Sequence, residues 1–188
     1  MKIIIAFLLL LFCFFCAPVV HIQIVDDYDR QKYLKACVIG QYEEINNILQ
    51  EELRQKNFMI IDNKTLMSTF IELGYNVLEE IFLTEDIRKK INEKFEVDAL
   101  FIYEIGDLKI EHYPIFPLFP LGVSGKTSTQ GTHVFASISI KMMDAKDGRI
   151  LWTASGSYSS KRGFIFTSDY EVALKKIIDH IFKRSPSL

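Results

Sequence analysis

Residues 134–158 read VFASISIKMMDAKDGRILWTASGSY, and this stretch decides the fold. Apolar and polar side chains alternate over 134–143 and again over 149–158, which is the two-residue period of a half-buried strand. The Asp147-Gly148 pair between the two runs is a strong signal for a hairpin turn. The sequence therefore predicts two long antiparallel strands, with the single tryptophan, Trp152, packed as an anchor in the core.

The first of these strands has one apolar and one polar face. Ser137, Ser139 and Lys141 lie on the polar face. The opposite face carries five apolar residues: Val134, Ala136, Ile138, Ile140 and Met142. This alternation is typical of an antiparallel sheet that packs one face on a core.

The rest of the chain alternates strand and helix patterns. Apolar residues recur at helical spacing after residue 43, after the predicted helix start at Thr84, and after the capping pattern Ser168-x-x-Glu171. Strands are predicted at 33–39, 58–61, 97–110, 134–143 and 149–158, and a further helix at 64–73. The order β-α-β-α-α-β-β-β-α predicts an α/β (α+β) fold, a mixed sheet of about five strands with helices packed on it.

The N-terminus has the plan of an export signal. Lys2 is followed by a short apolar run, and Cys16 lies where a lipoprotein signal places its acylated cysteine. We therefore predict a lipoprotein-type signal peptide at 1–16, a tether at 17–32 and a single domain at 33–188.

Two other processing routes stay open. The three residues before Cys16 lack the small side chains usual at that position. Residues 3–20 are apolar throughout and just long enough to span a bilayer as an uncleaved anchor. A different processing route is the third alternative. All three routes export the domain.

Several motifs that could carry chemistry are better explained by structure. The net charge of −2 is dispersed, which argues against nucleic acid. The segment GVSGKTST at 122–129 lacks the first glycine and the following helix of a phosphate-binding loop. Asp144 and Asp147 are explained by the turn, and Cys37 by burial as a small apolar residue. His112 and His133 are too few for a zinc site, so we expect no metal, no cofactor and no enzymatic activity.

Residues 112–131 form the stretch most suggestive of a contact. Prolines at every third position forbid a helix or an internal strand there. The apolar side chains would lie on an extended loop, which either covers the sheet or contacts a membrane or partner. The candidate contact residues are Tyr113, Ile115, Phe116, Leu118 and Phe119.

A resemblance to a known family rests on these same segments. Residues 97–108 (VDALFIYEIGDL) and 134–157 (VFASISIKMMDAKDGRILWTASGS) resemble the strand and hairpin of the envelope lipoprotein superfamily that includes CsgG, LpoB and the TolB amino-terminal domain. Residues 57–66 (NFMIIDNKTL) resemble an upstream segment of the same family. The resemblance covers about residues 33–183.

The resemblance implies a function as well as a fold. It implies a non-enzymatic lipoprotein, acylated (palmitate) at Cys16, on the periplasmic face of a bacterial membrane, with the outer membrane favoured. Its role would be a binding or assembly module for an envelope protein or a component of the peptidoglycan machinery. The alternative is a homo-oligomeric part of an outer-membrane secretion or transport complex similar to CsgG. Residues 112–132 are too short and too proline-rich for the membrane-inserting hairpins of CsgG.

Overall fold

The described residues form a mixed six-stranded sheet with four helices packed on it. A computed structural model describes residues 18–24, 28–72, 74, 84–114, 130–162, 170–185 and 188; residues 112–114, 130–132 and 160–162 are described by their backbone alone. The elements are β1 (Val19–Ile24), a 3₁₀ turn (Arg30–Lys32), β2 (Lys35–Ile39), α1 (Glu43–Gln55), β3 (Met59–Ile60), α2 (Asn63–Glu72), α3 (Glu85–Phe95), β4 (Ala99–Pro114), β5 (Gln130–Asp144), β6 (Ile150–Arg162) and α4 (Tyr170–Lys183).

The strand order combines crossover and meander connections. The sheet runs β1-β6-β5-β4-β2-β3. Strand β2 lies parallel to both β3 and β4, whereas β4, β5, β6 and β1 pair antiparallel. The parallel strands are joined through α1 and through α2 and α3, as expected for crossover units. This arrangement confirms the predicted mixed α/β fold.

The sixth strand, β1, was not predicted. Residues 17–32 were assigned to a tether, but Val19–Ile24 pairs with β6 from Ser157 to Trp152. Val20 and Ile22 pack against the main core, while His21 and Gln23 are exposed on the other face. The alternation of these side chains is the signal that would have identified the strand.

The larger core lies between one face of the sheet and helices α1 and α4. Trp152 is fully buried there, and its ring contacts those of Phe101 and Phe182, with centroids 6.4 and 6.2 Å apart. The predicted stripe of α4 is buried at Leu174, Ile177, Ile178 and Ile181, whereas Tyr170 is exposed. Trp152 is therefore the core anchor that the sequence predicted.

A smaller core lies on the opposite face, under α2 and α3. Cys37 is fully buried in it, and burial raises the pKa of its thiol to about 12. The predicted helix start at Thr84 is confirmed, because its hydroxyl accepts a hydrogen bond from the N–H of Ile87. The α2 and α3 helices pack near β2 and the first residues of β4, so they cover only part of this face.

The β5–β6 turn is held by the two aspartates that precede its glycine. The Asp144 carboxylate accepts hydrogen bonds from the N–H groups of Lys146 and Asp147 and from the Tyr33 hydroxyl. The Asp147 carboxylate accepts from the N–H of Arg149, and Gly148 has the positive φ of 80° that the turn requires. Both aspartates are thus turn residues, as predicted.

The β4–β5 pair runs further than predicted. Residues 112–131 were assigned to a loop, but the antiparallel ladder continues to Pro114 opposite Gln130. Proline is tolerated here because β4 is paired to β2 only as far as Ile102, so beyond that point it is an edge strand among the described residues.

Candidate binding surface

One face of the sheet is largely polar. Helices α2 and α3 cover part of it, and no other described helix packs on it. We call this surface the open face. It is formed by alternate residues of β4, β5, β6 and β1. The residues of the open face are His21, Gln23, Glu104, Ser137, Ser139, Lys141, Thr153, Ser155 and Ser157.

The open face is ordered in transverse rows. Glu104, Ser139, Ser155 and His21 are successive partners across four strands. The next row toward the β5–β6 turn contains Lys141, whose ammonium lies 3.6 Å from the Glu104 carboxylate. Small hydroxyls at the centre therefore lie between a charged pair on one side and an imidazole on the other.

A bulge in β4 shapes one side of this face. The pairing register of β4 shifts between Ile105 and Leu108. The Ser137 hydroxyl accepts a hydrogen bond of 2.9 Å from the N–H of Asp107. A Cβ at Gly106 would lie 2.4 Å from that hydroxyl oxygen, so glycine allows the close approach. The shallow trough beside it has a volume of about 340 Å³.

A second depression lies where β2 ends and the edge of β4 becomes free. Its volume is about 440 Å³, and its lining includes Gly40, Tyr42, Tyr103 and Leu108. The Tyr103 hydroxyl donates to the carbonyl of Tyr42 and accepts from its N–H, both at 2.9 Å. Burial raises the pKa of Tyr103 well above its usual value, so this phenol stays protonated and acts as a structural link.

The sheet narrows beyond the row in which β1 begins. Strand β1 pairs with β6 only as far as Ser157, and β6 continues to Arg162. From that row onward the described sheet consists of β4, β5 and β6 alone. The paired ends of β4 and β5, Leu108–Pro114 and Gln130–Ala136, are called the hairpin end below. Strand β5 is paired on both sides there, whereas the outer edges of β4 and β6 have no strand partner among the described residues.

The hairpin end carries its charged side chains on one face, together with the half-buried Phe135, and exposed apolar side chains on the other. The His133 ring lies 3.5 Å from the Glu111 carboxylate and 2.9 Å from the Ser159 hydroxyl. Leu108 and Ile110 lie on the α4 side and are 39% and 47% exposed. The two ends of the predicted loop do pair, which brings the backbones of His112 and His133 into neighbouring strands. The described side-chain contacts of His133, however, are to Glu111 and Ser159.

The described side chains of these surfaces do not converge on a catalytic or metal-binding arrangement. Glu104 and His21 stand at opposite ends of their row, about 14 Å apart over three strand spacings, so they cannot form a serine–histidine–carboxylate relay. Within the described ranges, no group of three His, Cys, Asp or Glu side chains could hold a metal ion. The buried thiol of Cys37, with its raised pKa, is not poised as a nucleophile.

Most of the site residues predicted from the sequence lie outside the described residues. These are Cys16 and the four loop residues Ile115, Phe116, Leu118 and Phe119. Tyr113 lies in β4, with its backbone opposite Gly131. No helix among the described residues is long and apolar enough to cross a bilayer.

The open face itself was not proposed as a site. The alternation of Ser137, Ser139 and Lys141 placed them on the polar side of their strand, and the structure confirms that placement. What the sequence did not show is that β1, β4 and β6 align further polar residues with them. Such rows depend on strand register, which is set by the tertiary fold.

Comparisons with known proteins show a shared fold. No protein-family model matches the chain, and no curated protein matches it. Lipoprotein GNA1162 from Neisseria meningitidis is structurally similar, with a TM-score of 0.53 and 15% identity over 78% of this chain and 96% of that chain. Weaker similarities are to PelC, a dodecamer from Paraburkholderia phytofirmans (TM-score 0.46, 12% identity, 87% and 94% coverage), and to the LpoB C-terminal domain from Salmonella enterica (0.40, 13%, 67% and 77%).

Proposed function

We propose that this protein is an envelope lipoprotein that acts as a non-enzymatic binding or assembly module for another envelope component. The observation that carries the proposal is the open face, a row-ordered polar surface spanning four strands. The fold shared with a Neisseria lipoprotein supports the lipoprotein part, as does the resemblance of residues 97–108 and 134–157 to the envelope family.

The surface chemistry favours recognition. Neutral hydroxyls and one exposed ion pair supply hydrogen-bond donors and acceptors without a reactive group. Beyond Ile102, the outer edge of β4 has no strand partner in the described part of the chain, so its backbone groups can pair with an extended segment of a partner. In this proposal, the sheet uses both features to hold another molecule in place.

The anchor in this proposal is the lipid on Cys16, on the periplasmic face of a membrane, with the outer membrane favoured. The apolar residues Tyr113, Ile115, Phe116, Leu118 and Phe119 are proposed as partner or membrane contacts. The partner is proposed to be an envelope protein, such as a component of the peptidoglycan machinery.

The anchor is tested by replacing Cys16 with serine. Cys16→Ser should move the protein from the membrane fraction to the soluble fraction and remove the acyl mass from the mature chain. Cys13→Ser, which changes another cysteine of the signal region, is the matched control and should leave both unchanged. Membrane association and mass that do not respond to Cys16→Ser would refute the lipid anchor.

The binding role is tested by photocrosslinking in the native cell. A photoreactive residue at Ser139, on the open face, should give a discrete adduct with one envelope protein. The same residue at Lys89, which is exposed on α3, is the control and should give none. A third probe at Phe116 tests the predicted contact in the β4–β5 connection. Absence of adducts at both Ser139 and Phe116 would contradict the binding role.

A further inference from the structure

The strand β1 leaves very little chain between the membrane anchor and the sheet. Ala17 and Pro18 are the residues between Cys16 and Val19, where β1 begins. Three residue steps span at most about 11 Å, even when fully extended. A free tether over 17–32 would have reached about 55 Å on the same basis. An anchor at Cys16 would therefore hold the start of β1 close to the bilayer.

The direction of β1 shows which end of the sheet is near the anchor. Val19 lies opposite Ser157, and Ile24 lies opposite Trp152. Because β1 runs antiparallel to β6, its first residue points toward the end where β6 reaches Arg162. That end is also the hairpin end, where Pro114 pairs with Gln130. The β5–β6 turn, 145–149, lies at the other end.

The rise per residue along the strands shows that the two ends of the sheet lie in opposite directions from the start of β1. The β1 start lies in the row of Ser137, and Gln130 is seven residues further along β5, about 23 Å away toward the anchor. In the other direction, Ile24 alone is already about 17 Å from Val19, and the β5–β6 turn lies beyond it. A connection of about 11 Å cannot double back over that distance.

We propose that the hairpin end is the membrane-proximal end and contacts the phospholipid headgroups, whereas the β5–β6 turn faces away from the membrane. This inference rests on the proposed envelope anchoring. It is argued for an anchor at Cys16, because an uncleaved anchor over 3–20 would include Val19 and Val20, which pair with β6 in the sheet.

The described side chains of the hairpin end fit a headgroup layer. Lys109, Glu111 and His133 supply charged and hydrogen-bonding groups on one face. Leu108 and Ile110 supply exposed apolar surface on the other. A surface with both kinds of group suits the boundary between headgroups and acyl chains.

The unpaired edges of the described strands limit how deeply the hairpin end can enter the bilayer. Unpaired backbone groups in hydrocarbon cost several kcal/mol each. The described outer edges of β4 and β6 have no strand partner at this end, so their N–H and C=O groups must reach water or polar headgroups. The contact is therefore with the interfacial layer. The strands are then inclined to the bilayer, because Val19 lies about 23 Å from Gln130 along the strands but within about 11 Å of Cys16. The open face lies within about 30 Å of the bilayer, because Ser139 is nine residues from Gln130.

Site-specific fluorescence quenching tests this orientation. The full acylated protein, carrying Glu111→Cys or Lys146→Cys, is labelled with a fluorophore and reconstituted on phosphatidylethanolamine–phosphatidylglycerol vesicles that contain a headgroup-attached nitroxide. Cys37 stays unlabelled, because it is buried and its thiol pKa is raised to about 12. Flotation of the same samples reports anchoring independently of orientation.

Quenching at Glu111 should be at least about twofold stronger than at Lys146, which is exposed in the β5–β6 turn. Floated protein with equal quenching at both positions, or stronger quenching at Lys146, would overturn the orientation and leave the anchoring proposal standing. Protein that does not float would refute both.

A linker variant tests whether the short connection is the cause. A flexible Gly/Ser insert of about 16 residues between Pro18 and Val19 should preserve flotation and weaken quenching at Glu111 by at least about twofold. Quenching that is unchanged by the insert would overturn the role assigned to the short connection.

Discussion

The two ends of the sheet are built from the same strands, but they use their polar groups differently. At the β5–β6 turn, the carboxylates of Asp144 and Asp147 accept backbone hydrogen bonds. Arg88, a buried residue of α3, donates to the carbonyl oxygens of Ala145 and Lys146. Nearly every charged group there is engaged in closing the turn.

The hairpin end has the opposite character. Glu111 is exposed and close only to His133 among its described partners, and Ile110 is 47% exposed. The outer edges of β4 and β6 keep backbone groups that pair with no described strand. The difference teaches that clustered charge in this protein marks structure at the turn, whereas surface available to another molecule lies at the hairpin end and on the open face.

The largest expected effect is a loss of unfolding free energy that should be much greater in the core than at the hairpin end. Trp152→Ala removes a fully buried side chain that contacts Phe101 and Phe182, so it should lower the free energy of unfolding by about 4 kcal/mol. Urea denaturation of the domain measures the loss. Ile110→Ala is the comparison variant and should change the unfolding free energy by less than about 0.5 kcal/mol. Similar losses in both variants would mean that the hairpin end is as tightly packed as the core.

A smaller loss is expected when the turn loses its buried guanidinium. Arg88 is 7% exposed, and its Nη1 donates to the carbonyl of Ala145 at 2.8 Å. Arg88→Leu should cost about 2 kcal/mol of unfolding free energy, because the buried carbonyls lose a charged donor. Lys89→Leu, at the neighbouring exposed position, should cost less than about 0.5 kcal/mol in the same urea titration. Equal costs would show that the Arg88 hydrogen bonds do not support the turn.

Much of the fold was predictable because local patterns agreed with the tertiary structure. The alternation around Asp147-Gly148 predicted the β5–β6 hairpin, and the spacing of Ile87, Ile91 and Phe95 after Thr84 predicted α3. Burial of Trp152 and Cys37 also followed from the apolar character of their segments. Each of these depends on near neighbours in the sequence, which a single chain displays directly.

The features that were missed depend on pairing between distant segments. The assignment of Val19–Ile24 as a strand needs β6 as its partner, about 130 residues later. The extension of β4 to Pro114 needs the ladder with β5, since proline alone argued against a strand. The rows of the open face need the register of four strands at once. The pairing of Val19–Ile24 leaves only Ala17 and Pro18 between β1 and the anchor proposed at Cys16.

Replacing the turn glycine, Gly148, should have a moderate effect on the free energy of unfolding. Gly148 has a φ of 80°, and a Cβ there would lie 3.1 Å from the Arg88 Nε. Gly148→Ala should lower the free energy of unfolding by about 1–2 kcal/mol. Gly74 has the same φ, and no atom of the described residues lies within 4 Å of such a Cβ, so Gly74→Ala is the comparison for backbone strain. A larger loss at Gly148 than at Gly74, in matched thermal melts, would identify the Arg88 contact; equal losses would assign the whole effect to φ.

The smallest expected effect is one of pH. The hydrogen bond from the Arg149 N–H, with the Arg149 side chain, holds the pKa of Asp147 below its usual value of 3.8. A carboxyl with a depressed folded pKa stabilises the fold above its unfolded pKa, and this contribution is lost as the pH falls through the folded value. Asp147→Asn should therefore lower stability at neutral pH, and the difference from the wild type should shrink below about pH 3.8. Urea unfolding of both proteins across that range measures the trend. Glu111→Gln, which removes the same charge from the hairpin end, is the control for net charge. A difference that stays constant with pH would show that Asp147 acts through its shape and not through its charge.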